Sequence, residues 1–139
     1  MNDYSLDELS VGMTAQLTAV MDAARFDSFR KLTGDENPLH SDREFAVSQG
    51  YPDRVCYGML TASLLSALAG VYLPGKHSLI HSVEINMTKP VILNDTLTVE
   101  GTIKEIDDTF GFITVGVKIF NQHGEKVLRG KMIIGVSKS

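Results

Sequence analysis

An aspartate and a histidine five residues apart are the strongest candidates for chemistry in this sequence. Asp35 directly follows Gly34, and His40 stands beyond an Asn-Pro pair. Pro38 has a fixed φ and restricts Asn37 to extended conformations, so we expect a stiff loop that holds the two side chains at a constant separation. A carboxylate and an imidazole held in this way can share one water molecule, taking one proton from it and delivering a proton elsewhere.

The same residue types also have a simpler explanation. An aspartate after a helix-ending glycine is ordinary turn chemistry, and Asn-Pro is a frequent turn pair. Residue type and spacing alone therefore leave both a catalytic and a structural role open for Asp35 and His40. Gly58 is the third residue of interest, because a glycine at a helix start lets a carbonyl oxygen approach the free N–H groups there, which stabilise developing negative charge.

Two helices are expected to flank this loop. The first begins at Asp22, a good N-cap, carries apolar residues at helical spacing and ends at Gly34. The second is short, covers about 41–49, and is expected to turn Phe45 and Ala46 inward. The loop between them is expected to be irregular.

A third helix and a sheet complete the expected fold. Residues 57–73 contain no charged side chain, which is typical of a helix that is buried on most sides. Five segments are expected to form strands, a short first one and four later ones that are rich in Val, Ile and Thr and bounded by turn signals. These segments are 12–20, 78–89, 96–106, 112–121 and 126–136. The sequence predicts one α+β domain over residues 1–139, with an antiparallel sheet curled around a long apolar helix.

Composition excludes several classes of partner. The formal charge is -4 and the pI is about 5.5, and binding to nucleic acid or to an anionic membrane surface would need a clustered excess of Lys and Arg. The apolar segment is interrupted by Thr61, Ser63 and Ser66 and is too short to span a bilayer comfortably. The polar, acidic N-terminus does not have the pattern of a secretory signal. We therefore expect a cytoplasmic protein.

Single residues outside the loop do not suggest a second catalytic or metal-binding site. Cys56 is the one cysteine, which excludes a disulfide within the chain, and we expect it to be a buried small hydrophobe. His77 and His81 are four residues apart but fall on an expected strand or loop, so no metal site is expected. His123 lies in a predicted hairpin turn and should be exposed. The basic residues that are candidates for contacting a ligand phosphate, with solvated surface charge as the simpler explanation, are Lys89, Lys104, Lys131, Arg54 and Arg129.

The loop with Asp35 and His40 resembles a known motif. Residues 29–40, with Ala46 following, look like the hydratase motif of the MaoC-like, R-specific enoyl-CoA hydratases. The resemblance extends to four further segments and covers most of the chain from about residue 10 to residue 136. These segments are residues 57–60 with Ser63 and Ser66, residues 73–75, residues 89–91 with Asp95 and Thr96, and residues 121–125.

This resemblance implies a hot-dog fold, usually found as a homodimer with its sites near the interface. It also implies reversible syn addition of water to a trans-2-enoyl thioester of CoA or a carrier protein, giving the (R)-3-hydroxyacyl thioester, without a metal or a redox cofactor. Asp35 and His40 would activate the water, and Asn37 would help to position His40 or the loop. The Gly58 amide would contribute to an oxyanion hole, and Ser66 would support Asp35.

Two positions depart from the resemblance. Tyr57 stands where the family usually has His, and Asn94 stands where Gly is common. Tyr57 and Met59 are expected to line the substrate tunnel, so we expect the departure at Tyr57 to affect chain-length preference more than reaction type.

Two other functions stay open. One is a hot-dog thioesterase, in which a carboxylate activates water against the carbonyl carbon and the histidine would often be surplus. The other is a non-catalytic module that binds acyl thioesters, although such a module has no reason to retain both Asp35 and His40.

Overall fold

The computed structural model describes residues 1–137 and contains helices in the first half and a single sheet. In chain order the elements are β1 (Thr14–Val20), α1 (Ala23–Thr33), α2 (Pro38–Ser41), α3 (Arg43–Ser48), α4 (Gly58–Ala67), β2 (Ser78–Met87), β3 (Thr96–Asp107), β4 (Phe112–Phe120) and β5 (Lys126–Val136). A 3-10 turn, Leu6–Glu8, precedes β1, and five π-helical residues, Leu68–Tyr72, prolong α4.

The sheet wraps around the prolonged helix. Its strand order is β1-β3-β4-β5-β2, and all neighbouring strands are antiparallel. The π-helical end of α4 contacts the neighbouring strands β1 and β3 and also β2, which lies at the opposite edge of the sheet. Gly101 on β3 permits this close approach, because a Cβ atom there would lie 2.9 Å from the side chain of Leu68. The predicted α+β arrangement is therefore confirmed.

One face of α4 forms the centre of the hydrophobic core. Leu60, Leu64 and Leu65 are at most 6% exposed, and they pack with inward side chains of the sheet. The opposite face of the helix, which includes Met59 and Ser66, is open in the single chain. Burial on most sides, as the sequence predicts, thus holds for one face only. None of the helices in residues 1–137 is both long and apolar enough to cross a membrane.

The boundaries of α1 follow from its capping residues. The carboxylate of Asp22 accepts a hydrogen bond from the amide of Arg25, which satisfies one of the free N–H groups of the first turn. Gly34 ends the helix in the left-handed conformation with φ +74°. Asn94 also has a positive φ, +70°, which asparagine tolerates better than most residues. This explains how asparagine can stand where the family often has glycine.

Two local expectations are wrong. The loop after Gly34 is not irregular throughout, because Pro38–Ser41 form a helical turn that contains His40. Phe45 does not face inward with Ala46: Ala46 is fully buried, whereas Phe45 is 38% exposed. Consecutive helical residues point about 100° apart, so a short helix with a narrow buried side can bury only one of the two.

Candidate active site

The turn after α1 brings Asp35 and His40 together. The Asn37 side chain caps α2 by accepting a hydrogen bond from the amide of Leu39 at 3.0 Å. The backbone N–H of Asn37 in turn donates a hydrogen bond to Asp35 Oδ1 at 3.1 Å. The other carboxylate oxygen, Oδ2, lies 3.9 Å from His40 Nε2. Asn37 therefore links the acidic residue to the turn that carries the imidazole, and the role in positioning His40 that the resemblance implies stays a prediction.

The carbonyl of Val55 determines which nitrogen of His40 can react. Nδ1 lies 2.7 Å from that carbonyl oxygen, 15 residues along the chain. Because a carbonyl only accepts hydrogen bonds, we infer that Nδ1 carries the proton of the neutral ring. Nε2 is then unprotonated and faces Asp35. The imidazole is thus held in the tautomer that a general base requires.

Tyr57 forms the surface on which the imidazole of His40 rests. The two rings are stacked, with centroids 4.0 Å apart and 27° between their planes. On its other sides Tyr57 meets Phe26 and Phe29, at centroid distances of 5.9 and 4.9 Å. Its hydroxyl is buried and has no hydrogen-bond partner within residues 1–137. Burial, and secondarily the negative charge of Asp35, raise the pKa of this phenol.

Arg54 holds the backbone of the same turn. Its Nε donates to the carbonyl of His40 at 2.7 Å, and Nη2 lies 3.6 Å from an oxygen of Asp27. The guanidinium also lies 5.2 Å from the centre of the Phe26 ring, within range of a cation–π contact. Arg54 thus ties α1 to α2. These contacts connect segments distant in sequence, so the sequence alone suggested only a phosphate contact or a solvated surface charge for Arg54.

Gly58 begins α4 beside this cluster. The amides of Gly58 and Met59 have no hydrogen-bond acceptor within residues 1–137, as the first N–H groups of a helix normally do not. The helix dipole makes this end favourable for negative charge. A cleft of about 260 Å³ opens next to Gly58 and is also lined by Thr61 and Met87. The cleft can accommodate a polarised carbonyl near these amides.

The positions of three other expected site residues do not by themselves support the roles that were expected for them. Met59 is 68% exposed, so in the single chain it is not part of an enclosed tunnel. Tyr57 is 2% exposed and packs behind His40. Ser66 lies on the open face of α4, and no hydrogen bond joins it to Asp35 within the described residues. The tunnel role of Tyr57 and Met59 and the supporting role of Ser66 stay predictions.

Most residues set aside at the sequence level lie away from Asp35 and His40. Cys56 is 4% exposed, which confirms its expected place in the core, and it also lines the cleft beside Gly58. Burial raises the pKa of its thiol to about 11. His77 bonds to Asp3 at 2.6 Å, whereas His81 packs edge-on against Phe112. Among residues 1–137, no group of three or more His, Cys, Asp or Glu side chains could hold a metal ion. His123 is exposed, as predicted.

The geometry permits one water molecule to touch both candidate groups. An oxygen atom about 2.8 Å from both Asp35 Oδ2 and His40 Nε2 would see the two atoms at an angle of about 90°, which is acceptable for a water bonded to both. Asp35 retains 46% side-chain exposure while His40 retains 13%, so the pair is open on the aspartate side. The arrangement can remove a proton from this water and can hold the water oxygen close to an electrophilic carbon.

Comparison with known proteins identifies the family. The model of the MaoC like domain matches residues 9–122. An (R)-specific enoyl-CoA hydratase of Aeromonas caviae is 33% identical over 130 residues, which is 94% of this chain and 97% of the relative. A mitochondrial 3-hydroxyacyl-[acyl-carrier-protein] dehydratase of Arabidopsis thaliana is 26% identical and covers 86% of this chain and 72% of its own length.

Solved structures agree with this match. The unliganded R-hydratase PhaJ1 of Pseudomonas aeruginosa superposes with a TM-score of 0.92 at 30% identity, over 97% of this chain and 86% of that chain. The (R)-hydratase of A. caviae gives a TM-score of 0.89 at 33% identity, over 92% of this chain and 97% of that chain. The hot-dog fold is thereby confirmed, and the chain belongs to the MaoC-like hydratase and dehydratase family.

Proposed function

We propose that this protein is an (R)-specific hydratase of trans-2-enoyl thioesters, which also catalyses the reverse dehydration. The observation that carries the proposal is the 3.9 Å separation of Asp35 Oδ2 and His40 Nε2, with Nδ1 of the same ring bonded to Val55. Two groups at this distance can position one water without neutralising each other through a direct hydrogen bond. The (R)-specific enoyl-CoA hydratase of A. caviae, at 33% identity over nearly the whole chain, supports the same reaction class.

The chemistry follows from the proposed roles. Nε2 of His40 takes a proton from the water as its oxygen attacks Cβ, and Asp35 holds the second hydrogen of that water. Negative charge then develops on the thioester oxygen, where the amide of Gly58 and the dipole of α4 stabilise it. The pair returns a proton to Cα from the side on which the water was held. Addition from one side is syn, and the product is the 3-hydroxyacyl thioester.

An absorbance assay on crotonyl-CoA tests the proposal. We expect loss of the enoyl absorbance without release of a free thiol, and a product that an (R)-specific but not an (S)-specific 3-hydroxyacyl-CoA dehydrogenase oxidises. Thiol release would instead identify a thioesterase. Binding of the substrate with neither change would identify a non-catalytic module. Either result would contradict the hydratase assignment.

We also propose that two copies of the chain form a dimer through β2. This strand lies at the edge of the sheet and has one neighbour, β5. Val83 and Met87 pair with the inward residues Met132 and Leu128, yet both stay 46% exposed. An unpaired edge with apolar side chains is normally covered in native proteins. Light scattering on the purified protein should give twice the chain mass, and Val83→Lys should shift it to one chain mass; a wild-type monomer would overturn this.

A further inference from the structure

We propose that the outward face of β3, β4 and β5 binds the phosphates of the CoA that carries the substrate. This inference rests on the proposed function, because it names how the thioester substrate is held. The surface is defined by Lys104, Lys118, Lys126 and Arg129, and we call it the cationic sheet face. It lies on the side of the sheet away from α4 and forms the wall of a cleft of about 470 Å³.

The charges of this face are not neutralised within the chain. Lys118 on β4 lies directly opposite Arg129 on β5, and like charges in opposed positions destabilise a sheet. Within the residues that the structure describes, none of the four cations takes part in an ion pair. Glu100 faces Lys118 from β3 and lines the same cleft, but it forms no ion pair with any cation among residues 1–137. A chain of net charge -4 therefore concentrates unpaired positive charge on one face.

Neighbouring basic residues differ in this respect. Lys131 lies 3.4 Å from a carboxylate oxygen of Glu84, and Lys89 forms an ion pair with Glu125. Their charges are compensated inside the protein. Among the basic side chains on and next to β5, those without an ion pair in the part of the chain that the structure describes are Lys126 and Arg129, and Lys104 and Lys118 join them on the cationic sheet face. Of the residues that the sequence suggested for phosphate contact, Lys104 and Arg129 belong to this face.

Three clefts that share lining residues relate the surroundings of Gly58 to these cations. The cleft beside Gly58 is also lined by Thr88 and Lys89. Both residues also line a second cleft, which continues to Lys126 and Arg129. Those two residues in turn line the large cleft over the sheet. A thioester with its carbonyl at Gly58 could therefore extend its pantetheine arm past Thr88 and bring its phosphates onto the cationic sheet face.

The chemistry of the face fits a small polyanion. CoA presents a diphosphate and a 3′-phosphate. Arginine and lysine bind such groups through charge-assisted hydrogen bonds, and because the sheet backbone is rigid, only the arginine and lysine side chains lose conformational freedom. A cleft suits a nucleotide better than the broad surface of an acidic carrier protein. We therefore assign the face to CoA and treat the carrier protein as an outcome of the test.

Charge reversal tests the assignment. In Lys118→Glu and in Arg129→Glu we expect the KM for crotonyl-CoA to rise about fivefold to tenfold, which corresponds to about 1 to 1.4 kcal/mol, since each reversal replaces a solvent-screened attraction by a repulsion, while kcat stays unchanged. The KM for crotonyl-pantetheine, which has no phosphate, should not change. Lys76→Glu is the matched control, because it makes the same charge change at an exposed turn outside the three clefts.

Titration calorimetry with CoA alone separates this inference from the proposed function. If the wild type hydrates no enoyl thioester but binds CoA, and Lys118→Glu weakens that binding by the same factor, the hydratase proposal fails and the phosphate site stands. Equal CoA affinity in the wild type and both variants overturns the phosphate site, whether or not the protein is a hydratase. An effect on crotonyl carrier protein with none on crotonyl-CoA also overturns it.

Discussion

The phenol ring of Tyr57 lies face to face with the imidazole of His40, with the two centroids 4.0 Å apart. The stack fixes the plane of the imidazole, and the hydrogen bond from Nδ1 to Val55 fixes its rotation, so Nε2 is directed at Asp35. An aromatic face also attracts a cation, which favours the imidazolium that forms when His40 takes a proton. Tyr57, at a position where the family usually has histidine, therefore packs against one face of the His40 ring and keeps the proposed base in its orientation.

Substitution of Tyr57 separates the ring from its hydroxyl. Tyr57→Phe keeps the stack and removes a buried hydroxyl without a partner, so we expect kcat within about threefold of the wild type and no loss of stability. Tyr57→Leu removes the stack, and we expect kcat to fall about tenfold or more, with KM little changed. Steady-state kinetics on crotonyl-CoA, with urea unfolding to monitor the fold, measure both. Equal activity of the two variants would show that the ring has no positional role.

Loss of either member of the acid–base pair should abolish most of the activity. We expect Asp35→Asn and His40→Gln each to lower kcat by about a hundredfold or more, the usual contribution of a general acid–base group. Glu36→Gln and His123→Gln are matched controls, because they make the same chemical changes at exposed positions. Both controls should retain wild-type kcat. Full activity of an Asp35 or His40 variant would remove that residue from the mechanism.

Gly58→Ala tests the position of the thioester carbonyl. A Cβ atom at residue 58 would lie 3.3 Å from the terminal methyl group of Met87, a flexible side chain that can shift, so the fold should tolerate it. The added methyl would occupy the space beside the free amides of α4, and we expect kcat/KM to fall about tenfold or more. Gly70→Ala, later in the same continuous helix and with open space around it, is the control. Unchanged kcat/KM in Gly58→Ala would place the carbonyl elsewhere.

The buried thiol of Cys56 should make stability depend on pH in alkaline solution. Burial raises its pKa from 9.0 to about 11, so the native state holds this proton more tightly than the unfolded state does. The resulting stabilisation is fully present below pH 9 and is lost as the pH rises towards 11. We expect the difference in unfolding free energy between the wild type and Cys56→Ala to shrink over this range, as urea titrations at pH 8 and pH 10.5 would measure. A constant difference would contradict the shift.

The same pKa predicts low reactivity of the thiol. At pH 8 about one thiol in a thousand is ionised, and the sulfur is also shielded from reagents by the core. Native protein should therefore resist iodoacetamide, while protein in urea should react fully. Mass spectrometry of the two samples checks this.

Local chemistry explains which features the sequence predicted well. Asp22 and Gly34 bound α1 because a carboxylate N-cap and a left-handed glycine act over a few residues. The Asn-Pro pair likewise brings Asp35 and His40 together through contacts within six residues, namely the Asn37 cap and its amide bond to Asp35. Enrichment in Val, Ile and Thr between turn signals located β2 to β5, since β-branched residues pack well on a pleated surface.

Tertiary contacts decided the rest, because they join residues that no short-range pattern connects. The reactive nitrogen of His40 is selected by the Val55 carbonyl, and its ring plane is set by Tyr57, 15 and 17 residues away. The inward side of α3 depends on what packs against it, so Ala46 rather than Phe45 is buried. The sequence by itself thus predicted most of the elements and the candidate acid–base pair, whereas strand order, the direction of the imidazole and the cations gathered on one sheet face arise only when distant segments pack together.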